Sequence, residues 1–373
     1  MQILNRSGLA LLSAAVLACG CKGNSPTSTA EPAGSSAVTT GAGAVAAEAA
    51  LTGSGSSFVN PLMSKWVAAY QGIEKGTKVN YQSVGSGAGI KAILDKTVDF
   101  GATDAALTDE QIAKSSAKIV HVPLTLGAVV VTYNVKDVPD HLKLTPEVVA
   151  AIFTGDIKTW NDPKIASANT GTKLPAQPIG VVYRSDGSGT TAVFTDYLSA
   201  VSPEWKAKIG KGTTVKWPAG TGANGNAGVT NQVKQTPGSI AYVELAYALQ
   251  NKLPVASLKN KAGKFIEPTL DAITAAAASV ASKIPEDLRM PIVDADGDAA
   301  YPIAGFTYAL VYEDMADTPR APALAKFLWW GIHDGQQLGP ALHYAPLPAA
   351  VVTKAEAKVK SLKAGGKPLL AEK

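Results

Sequence analysis

Residues 179–198, with the sequence IGVVYRSDGSGTTAVFTDYL, contain the clearest structural signal in this chain. The apolar, β-branched run at 179–183 predicts a buried strand, and the apolar residues at helical spacing after Thr191 predict a helix. The glycines and serines between them therefore form a strand-to-helix turn, with Ser188 as a candidate N-cap. The first-turn N–H groups of such a helix, together with the helix dipole, attract anions.

Arg184 ends the predicted strand and adds a guanidinium group next to these N–H groups. Its rigid fork of donors suits a tetrahedral oxyanion. The segment is equally compatible with an ordinary glycine-rich turn, in which Arg184 forms a surface ion pair with Asp186. The two roles do not exclude each other, because Asp186 could orient the guanidinium for a ligand.

Strand-like and helix-like segments alternate from residue 51 onward, which indicates an α/β protein. Residues 62–70 predict an amphipathic helix, and the continuous apolar run at 129–133 predicts a strand buried on both faces. Further helices are expected near Thr145 and Ser202, each of which precedes a proline.

Three more turns rich in small residues lie at predicted junctions of strand and helix, at 53–58, 85–89 and 99–104. The last of them ends in the carboxylate of Asp104. Ligands of α/β sheets bind outside the carboxyl ends of the strands, where such turns collect. With the turn after Arg184, the sequence therefore predicts four donor-rich turns and one acidic group in a common site.

Composition excludes several classes of function. The formal net charge is only +4 without a long basic block, which argues against nucleic acid as a partner. The only cysteines are Cys19 and Cys21, so the folded part has neither a disulfide framework nor a cysteine-based zinc site. The sequence has no H-E-x-x-H motif, no G-x-S-x-G elbow and no Walker lysine, and we expect no metal, no cofactor and no catalytic residues.

The N-terminus predicts export. Residues 1–18 have the form of a signal peptide, whose apolar stretch is too short to span a bilayer. Residues 16–19, VLAC, resemble a bacterial lipobox and predict lipidation at Cys19, with Cys21 or simple cleavage after Ala18 as alternatives. Residues 19–50 have almost no large apolar side chains, which predicts a flexible, lipid-anchored linker.

The chain after residue 50 resembles the phosphate-binding proteins of bacterial phosphate ABC importers. The resemblance rests on motifs that occur in the family's order and spacing: LTGSGSSF at 51–58, VGSGAG at 84–89, VDFGATD at 98–104, RSDGSGT at 184–190, TVKWP at 214–218 and PGSIAYVE at 237–244. Position by position, it implies that phosphate is bound by Ser57, Phe58 (through its backbone N–H), Ser86, Asp104, Arg184, Ser188, Gly189 and Thr190. The family more often has threonine where this chain has Ser57, and serine keeps the hydroxyl.

The resemblance also implies a two-lobed periplasmic binding-protein (type II) fold with the ligand cleft at the hinge. Residues 51–126 and 302–373 would form one lobe, and residues 127–301 the other. The expected protein is an exported, periplasmic or cell-envelope monomer, held by its lipid anchor, that passes inorganic phosphate to the membrane permease subunits of an importer.

Asp104 needs a reason to lie beside a bound anion, because like charges repel. An ionised carboxylate can accept a hydrogen bond from a protonated phosphate, whereas sulfate carries no proton and would leave the carboxylate unpaired. The competing interpretation is a helix N-cap without ligand contact. At the level of function, the alternative is an enzyme or sensor that acts on phosphate esters or another tetrahedral oxyanion.

Overall fold

The computed structural model describes residues 49–370 and shows a mixed α/β protein, as the alternation of segments predicts. The strands, in chain order, are β1 (Ala49–Gly55), β2 (Thr77–Ser83), β3 (Phe100–Thr103), β4 (Ile119–Asn134), β5 (Lys143–Leu144), β6 (Gly180–Arg184), β7 (Thr221–Ala223), β8 (Ser239–Glu244), β9 (Ser257–Lys259), β10 (Phe265–Ile266), β11 (Ile292–Val293), β12 (Ile303–Tyr312), β13 (Asp314–Met315), β14 (Lys363–Ala364) and β15 (Lys367–Pro368). The helices are α1 (Asn60–Ile73), α2 (Ser86–Leu94), α3 (Asp109–Ala113), α4 (Pro146–Thr154), α5 (Pro163–Ala168), α6 (Gly189–Val201), α7 (Pro203–Lys208), α8 (Gly225–Gln235), α9 (Leu245–Gln250), α10 (Leu270–Val280), α11 (Arg320–Ile332) and α12 (Ala349–Lys360). Short 3-10 turns follow at Ala281–Lys283, Asp334–Leu338 and Pro340–Leu342. The expected signal peptide, both cysteines and the linker up to residue 48 lie outside the described residues.

Side-chain caps explain where several helices begin. Thr145 accepts a hydrogen bond from the N–H of Val148 at the start of α4, and Ser202 accepts one from the N–H of Trp205 at the start of α7. Each cap is followed by a proline at the first helical position, where the missing N–H has no partner to lose. The helices predicted near Thr145 and Ser202 are therefore confirmed.

The long strand β4 is central to the main sheet of the described residues. This sheet has the order β2-β1-β3-β12-β4-β8-β6-β7, and β11 pairs with β12. Residues 119–128 of β4 pair antiparallel with β12, whereas residues 129–134 pair antiparallel with β8. Two groups of strands, β2-β1-β3-β12 and β8-β6-β7, therefore share one strand and lie on either side of it.

Aromatic packing fixes the end of β6 against α6. The rings of Phe194 and Tyr242 are stacked with centroids 4.4 Å apart, and Phe153 packs edge-on against Phe194. The buried hydroxyl of Tyr242 accepts a hydrogen bond from the N–H of Arg184 and lies 2.7 Å from the hydroxyl oxygen of Thr191. The core thus holds the turn from β6 to α6 in a defined position.

A search of residues 49–370 finds no helix with the length and apolar character needed to cross a membrane.

Candidate functional site

The candidate site lies where β1, β3 and β6 end beside the N-termini of α2 and α6. Strands β1 and β3 are parallel and end side by side, with Gly55 opposite Ala102. The turn before α6 contacts the start of α2, because the N–H of Gly87 donates to the carbonyl of Gly187 at 2.8 Å. All the candidate ligands, which sequence alone places on four separate turns, are therefore neighbours.

Gly189 shows how closely the two sides approach. A Cβ atom at this position would lie 2.3 Å from Ser86 Oγ and 2.4 Å from Asp104 Oδ2. Both distances are shorter than real Cβ contacts, so only glycine allows the first turn of α6 to approach Asp104 in this way.

Asp104 is a buried carboxylate among hydroxyl groups. Its Oδ1 accepts hydrogen bonds from the hydroxyls of Ser56 at 2.6 Å and Thr307 at 2.7 Å. Its Oδ2 has one longer hydrogen bond, from the hydroxyl of Ser86 at 3.3 Å. The two oxygens therefore differ. Oδ1 already accepts two short hydrogen bonds, whereas Oδ2, which faces Gly189, can accept a further hydrogen bond.

Burial raises the pKa of Asp104 to about 6, against the opposing effects of the Ser56 and Thr307 hydrogen bonds and the positive charge of Arg184. The carboxylate is mostly ionised above that pH and can then act as a pure acceptor. Neutral hydroxyl donors stabilise the ionised form without adding charge of their own.

The N-cap interpretation of Asp104 is wrong. The next helix in the chain, α3, starts at Asp109 and is capped by Thr108, whose hydroxyl accepts a hydrogen bond from the N–H of Gln111. Asp104 therefore has no part in capping that helix.

Arg184 is buried, with 3% of its surface exposed, and its guanidinium group is held by Asp186. Its Nε donates to Asp186 Oδ1 at 2.7 Å and its Nη2 donates to Asp186 Oδ2 at 2.5 Å. Its Nη1 donates to Thr190 Oγ1 at 3.3 Å. Burial alone would raise the pKa of Asp186, but the hydrogen bonds and charge of Arg184 lower it below its usual value. The expected ion pair is therefore present, but it joins a buried Arg184 to a partly buried Asp186 and fixes the plane of the guanidinium.

Ser188 is the N-cap of α6, as predicted from the turn. Its hydroxyl oxygen accepts a hydrogen bond from the N–H of Thr191 at 3.0 Å. The N–H groups of Gly189 and Thr190, at the start of the helix, have no acceptor within the helix itself. They lie at the positive end of the helix dipole, which is a suitable place for an anion.

The loop after β1 contributes Ser57 and Phe58. Ser57 Oγ accepts hydrogen bonds from the N–H of Asn226 at 3.3 Å and from its side-chain amide at 3.1 Å. The N–H of Phe58, which the resemblance implies as a ligand donor, donates to Ser56 Oγ at 3.0 Å in this structure. Both residues lie in the cluster, with their polar groups engaged by protein partners.

The structure adds three residues to the candidate site that the sequence does not indicate: Ser56, Asn226 and Thr307. Asn226 is fully buried, and its side-chain amide also donates to Thr190 Oγ1 at 3.1 Å. Ser56 stands inside a recognised motif, but nothing distinguishes its hydroxyl from those around it. Thr307 is 203 residues away from Asp104, and no local pattern indicates such a contact.

The arrangement combines several donors with one acceptor in a buried site. An arginine and a helix N-terminus provide positive potential, and hydroxyl groups and Asp104 surround the same position. Such a combination of donors and one acceptor is suited to bind a partly protonated oxyanion. Among residues 49–370, no group of three or more His, Cys, Asp or Glu side chains is arranged to hold a metal ion.

Comparisons with known proteins agree on one family. The family model described as the PBP superfamily domain matches residues 28–334. The phosphate-binding protein PstS of Xylella fastidiosa is 43% identical over 308 residues, which cover 82% of this chain and 84% of that protein. The PstS protein of Pasteurella multocida is 41% identical over 312 residues, which cover 83% of this chain and 90% of that protein.

Solved structures support the fold. A high-affinity periplasmic phosphate-binding protein with bound phosphate superimposes with a TM-score of 0.66 at 23% identity, covering 86% of this chain and 100% of that one. A putative phosphate ABC transporter substrate-binding protein from Clostridium perfringens, also with bound phosphate, gives a TM-score of 0.59 at 18% identity, covering 80% and 100%. The chain therefore has the two-lobed periplasmic-binding-protein fold that the resemblance implies.

Proposed function

Because this chain belongs to the PstS family of phosphate-binding proteins, we propose that it captures inorganic phosphate outside the cytoplasm and delivers it to an ABC importer in the membrane. The observation that carries the proposal is the position of Asp104. A buried carboxylate lies beside Arg184 and the N-terminus of α6, which is the pairing of acceptor and donors that a protonated oxyanion needs.

The ligand's proton gives the site its selectivity. Asp104 Oδ1 is occupied by two hydroxyl donors, so we assign Oδ2 as the acceptor of the phosphate proton. Sulfate has no proton to donate near neutral pH and would leave a buried carboxylate facing an anion. Leaving such a group unpaired costs about 1–3 kcal/mol or more. The site therefore favours phosphate by rejecting its competitor.

The proposed contacts to phosphate come from both groups of strands. The loops after β1, β2 and β3 provide the donors Ser57, Phe58 and Ser86 and the acceptor Asp104. The turn from β6 to α6 provides the donors Arg184, Ser188, Gly189 and Thr190. Asp186 orients Arg184. The N–H of Phe58 would exchange its hydrogen bond with Ser56 for one to the ligand.

We assign residues 51–126 and 302–373 to one lobe and residues 127–301 to the other, with phosphate between them. The exchange of partners along β4, from β12 to β8 at residues 128 and 129, supports this division. The protein would act as a monomer, whose closed lobes present phosphate to the permease subunits of the importer.

Export and anchoring complete the proposal. Residues 1–18 would be removed as a signal peptide, and a lipid on Cys19 would hold the mature protein at the cell envelope through a flexible linker. In Cys19→Ser, fatty acid labelling should be lost. If labelling persists, Cys21 is the modified residue or the protein is not anchored in this way.

Calorimetry on the domain starting near residue 49 tests the proposed function. The domain should bind one inorganic phosphate per chain, and it should release no phosphate from ester substrates in a parallel assay. Absence of binding would contradict the proposal. Steady release of phosphate from an ester would instead favour the alternative, an enzyme that uses the same anion-binding turns.

A further inference from the structure

Three tyrosine hydroxyls hold three consecutive carbonyl groups in the loop after β1. The hydroxyl of Tyr81 donates to the carbonyl of Ser56 at 2.6 Å, and that of Tyr247 donates to the carbonyl of Ser57 at 2.7 Å. The hydroxyl of Tyr344 donates to the carbonyl of Phe58 at 2.6 Å. All three distances lie within the ordinary range for O–H···O hydrogen bonds.

The direction of a carbonyl group determines the direction of the next N–H group. A trans peptide unit is planar, so its C=O and its N–H point to opposite sides of the chain. Fixing the carbonyls of Ser56, Ser57 and Phe58 therefore fixes the N–H groups of Ser57, Phe58 and Val59. One of them, the N–H of Phe58, is a proposed donor to phosphate.

We infer that Tyr81, Tyr247 and Tyr344 are positioning residues, which orient the loop at Ser56–Phe58 for anion binding. The inference rests on the proposed function, since it names what holds one part of the proposed phosphate site in place. None of the three hydroxyls has to contact the anion. Their effect passes through the backbone of the loop.

The three tyrosines come from separate parts of the molecule. Tyr81 lies in β2, next to β1 in the sheet, and Tyr247 lies in α9 directly after β8. Tyr344 follows the 3-10 turn at Pro340–Leu342 near the end of the chain. The loop is thus held from three directions, including by one residue from the opposite group of strands.

The hydroxyl groups are suited to act as permanent donors. Tyr247 is 9% exposed and Tyr344 is fully buried. Burial raises the pKa of Tyr81, Tyr247 and Tyr344 above the usual range for a phenol, so each keeps its proton at neutral pH. A carbonyl oxygen can only accept, and the direction of each hydrogen bond is therefore settled.

The experiment compares Tyr81→Phe, Tyr247→Phe and Tyr344→Phe with the parent protein. Removing one such hydrogen bond should raise the dissociation constant for inorganic phosphate by about twofold to tenfold in each variant. Tyr133→Phe is the matched control, because the hydroxyl of Tyr133 donates to the carbonyl of Pro139 at 2.5 Å in another part of the core. The control should lose stability and keep the parent's affinity.

Hydrogen exchange of the amides of Ser57, Phe58 and Val59 in phosphate-free buffer gives a second measure. Exchange should be faster in the three variants than in the parent and the control, because the loop is less restrained. The inference is overturned if exchange at these amides is unchanged, or if phosphate affinity falls no more than in Tyr133→Phe. A parent protein that binds no phosphate would contradict the proposed function, while the exchange rates would still decide whether the tyrosines position the loop.

Discussion

Asp104 is a carboxylate in a site whose other groups are mainly hydrogen-bond donors. The contacts of Asp104 explain how its negative charge is stabilised. Hydroxyls of Ser56, Thr307 and Ser86 point at the carboxylate, and Arg184 lies nearby. These contacts only partly offset the desolvation, because burial still raises the pKa of Asp104 to about 6. The ionised residue is therefore costly to bury without a ligand, and the proposed hydrogen bond from phosphate would give it a further partner.

The raised pKa of Asp104 predicts how stability depends on pH. Between pH 4 and pH 6 the folded protein binds more protons at this site than the unfolded chain does, so stability falls as pH rises through this window. Asp104→Asn removes the effect. The free energy of unfolding of Asp104→Asn relative to the parent should increase by up to about 3 kcal/mol from pH 4 to pH 7.

Urea denaturation of both proteins at several pH values in phosphate-free buffer measures this difference. Comparing the two proteins cancels the titration of groups that do not interact with Asp104. A difference that stays constant across the window would mean that Asp104 titrates with an ordinary pKa.

Glu244 is a second buried carboxyl group, and burial favours its neutral form against the N–H of Ala246, which donates to both of its oxygens at 3.0 Å. The single proton of the Tyr344 hydroxyl is used by the carbonyl of Phe58 at 2.6 Å, yet Glu244 Oε2 lies 3.0 Å from the same hydroxyl oxygen. A proton on Glu244 would satisfy this second contact. Burial raises the pKa of Glu244 well above its usual range, which supports the neutral form.

Glu244→Gln should therefore bind phosphate as the parent does, because an amide can donate to Tyr344 in place of a protonated carboxyl. Calorimetry on Glu244→Gln and Tyr344→Phe side by side tests this expectation. If Glu244→Gln loses as much affinity as Tyr344→Phe, then Glu244 is ionised in the folded protein.

At the residue scale, the sequence indicates some members of the site and hides others. Arg184, Ser188 and Asp104 stand at recognisable junctions between strands and helices, where their types suggest anion binding. Thr307 and Asn226 have no such local signal, because their partners Asp104 and Ser57 are 203 and 169 residues away. Contacts over such separations depend on the sheet order, which local patterns do not contain.

At the scale of single elements, the start of α6 depends on Gly189. The φ angle of Gly189 is not positive, so the backbone conformation at this position is one that alanine can also adopt in the helix. The added Cβ would nevertheless overlap Ser86 Oγ and Asp104 Oδ2. Gly189→Ala should therefore weaken phosphate binding by roughly ten- to a hundredfold while the helix itself stays intact.

Gly228→Ala is the matched control for this variant. Gly228 lies inside α8, and a Cβ there would meet its nearest atoms at 3.8 Å, an ordinary contact. This change should stabilise the protein by about 0.5–1 kcal/mol and leave phosphate affinity unchanged. Thermal unfolding and calorimetry on both variants provide the measurements. Parent-like phosphate affinity in Gly189→Ala would contradict the close approach of α6 and Asp104.

Elements with strong local signals were predicted well, and the length of β4 was not. The apolar run at 129–133 predicts a buried strand, but the strand in fact extends over Ile119–Asn134. Its first part includes His121 and Pro123, which weaken the pattern, although both are buried against β12. Pairing with a strand almost two hundred residues later makes these residues part of the sheet.

At the scale of the whole molecule, β12 brings the end of the chain back beside the beginning. It lies between β3 and β4, and its residue Thr307 reaches Asp104. Composition and periodicity contain no sign of this return, and only the family resemblance predicts it. The return matters for the proposed function, because the two groups of strands on either side of β4 both supply residues to the candidate site.

The selectivity between phosphate and sulfate tests the central claim most directly, since it requires the two sides of the molecule to enclose one anion against Asp104. Titrate the parent and Asp104→Asn with both anions at pH 7 and compare the ratios of dissociation constants. Because a hydrogen bond to a charged acceptor contributes about 1.5–3 kcal/mol, the preference for phosphate should fall by at least about tenfold in Asp104→Asn. A ratio equal to that of the parent would mean that Asp104 does not recognise the ligand's proton, and the account of the site would be wrong.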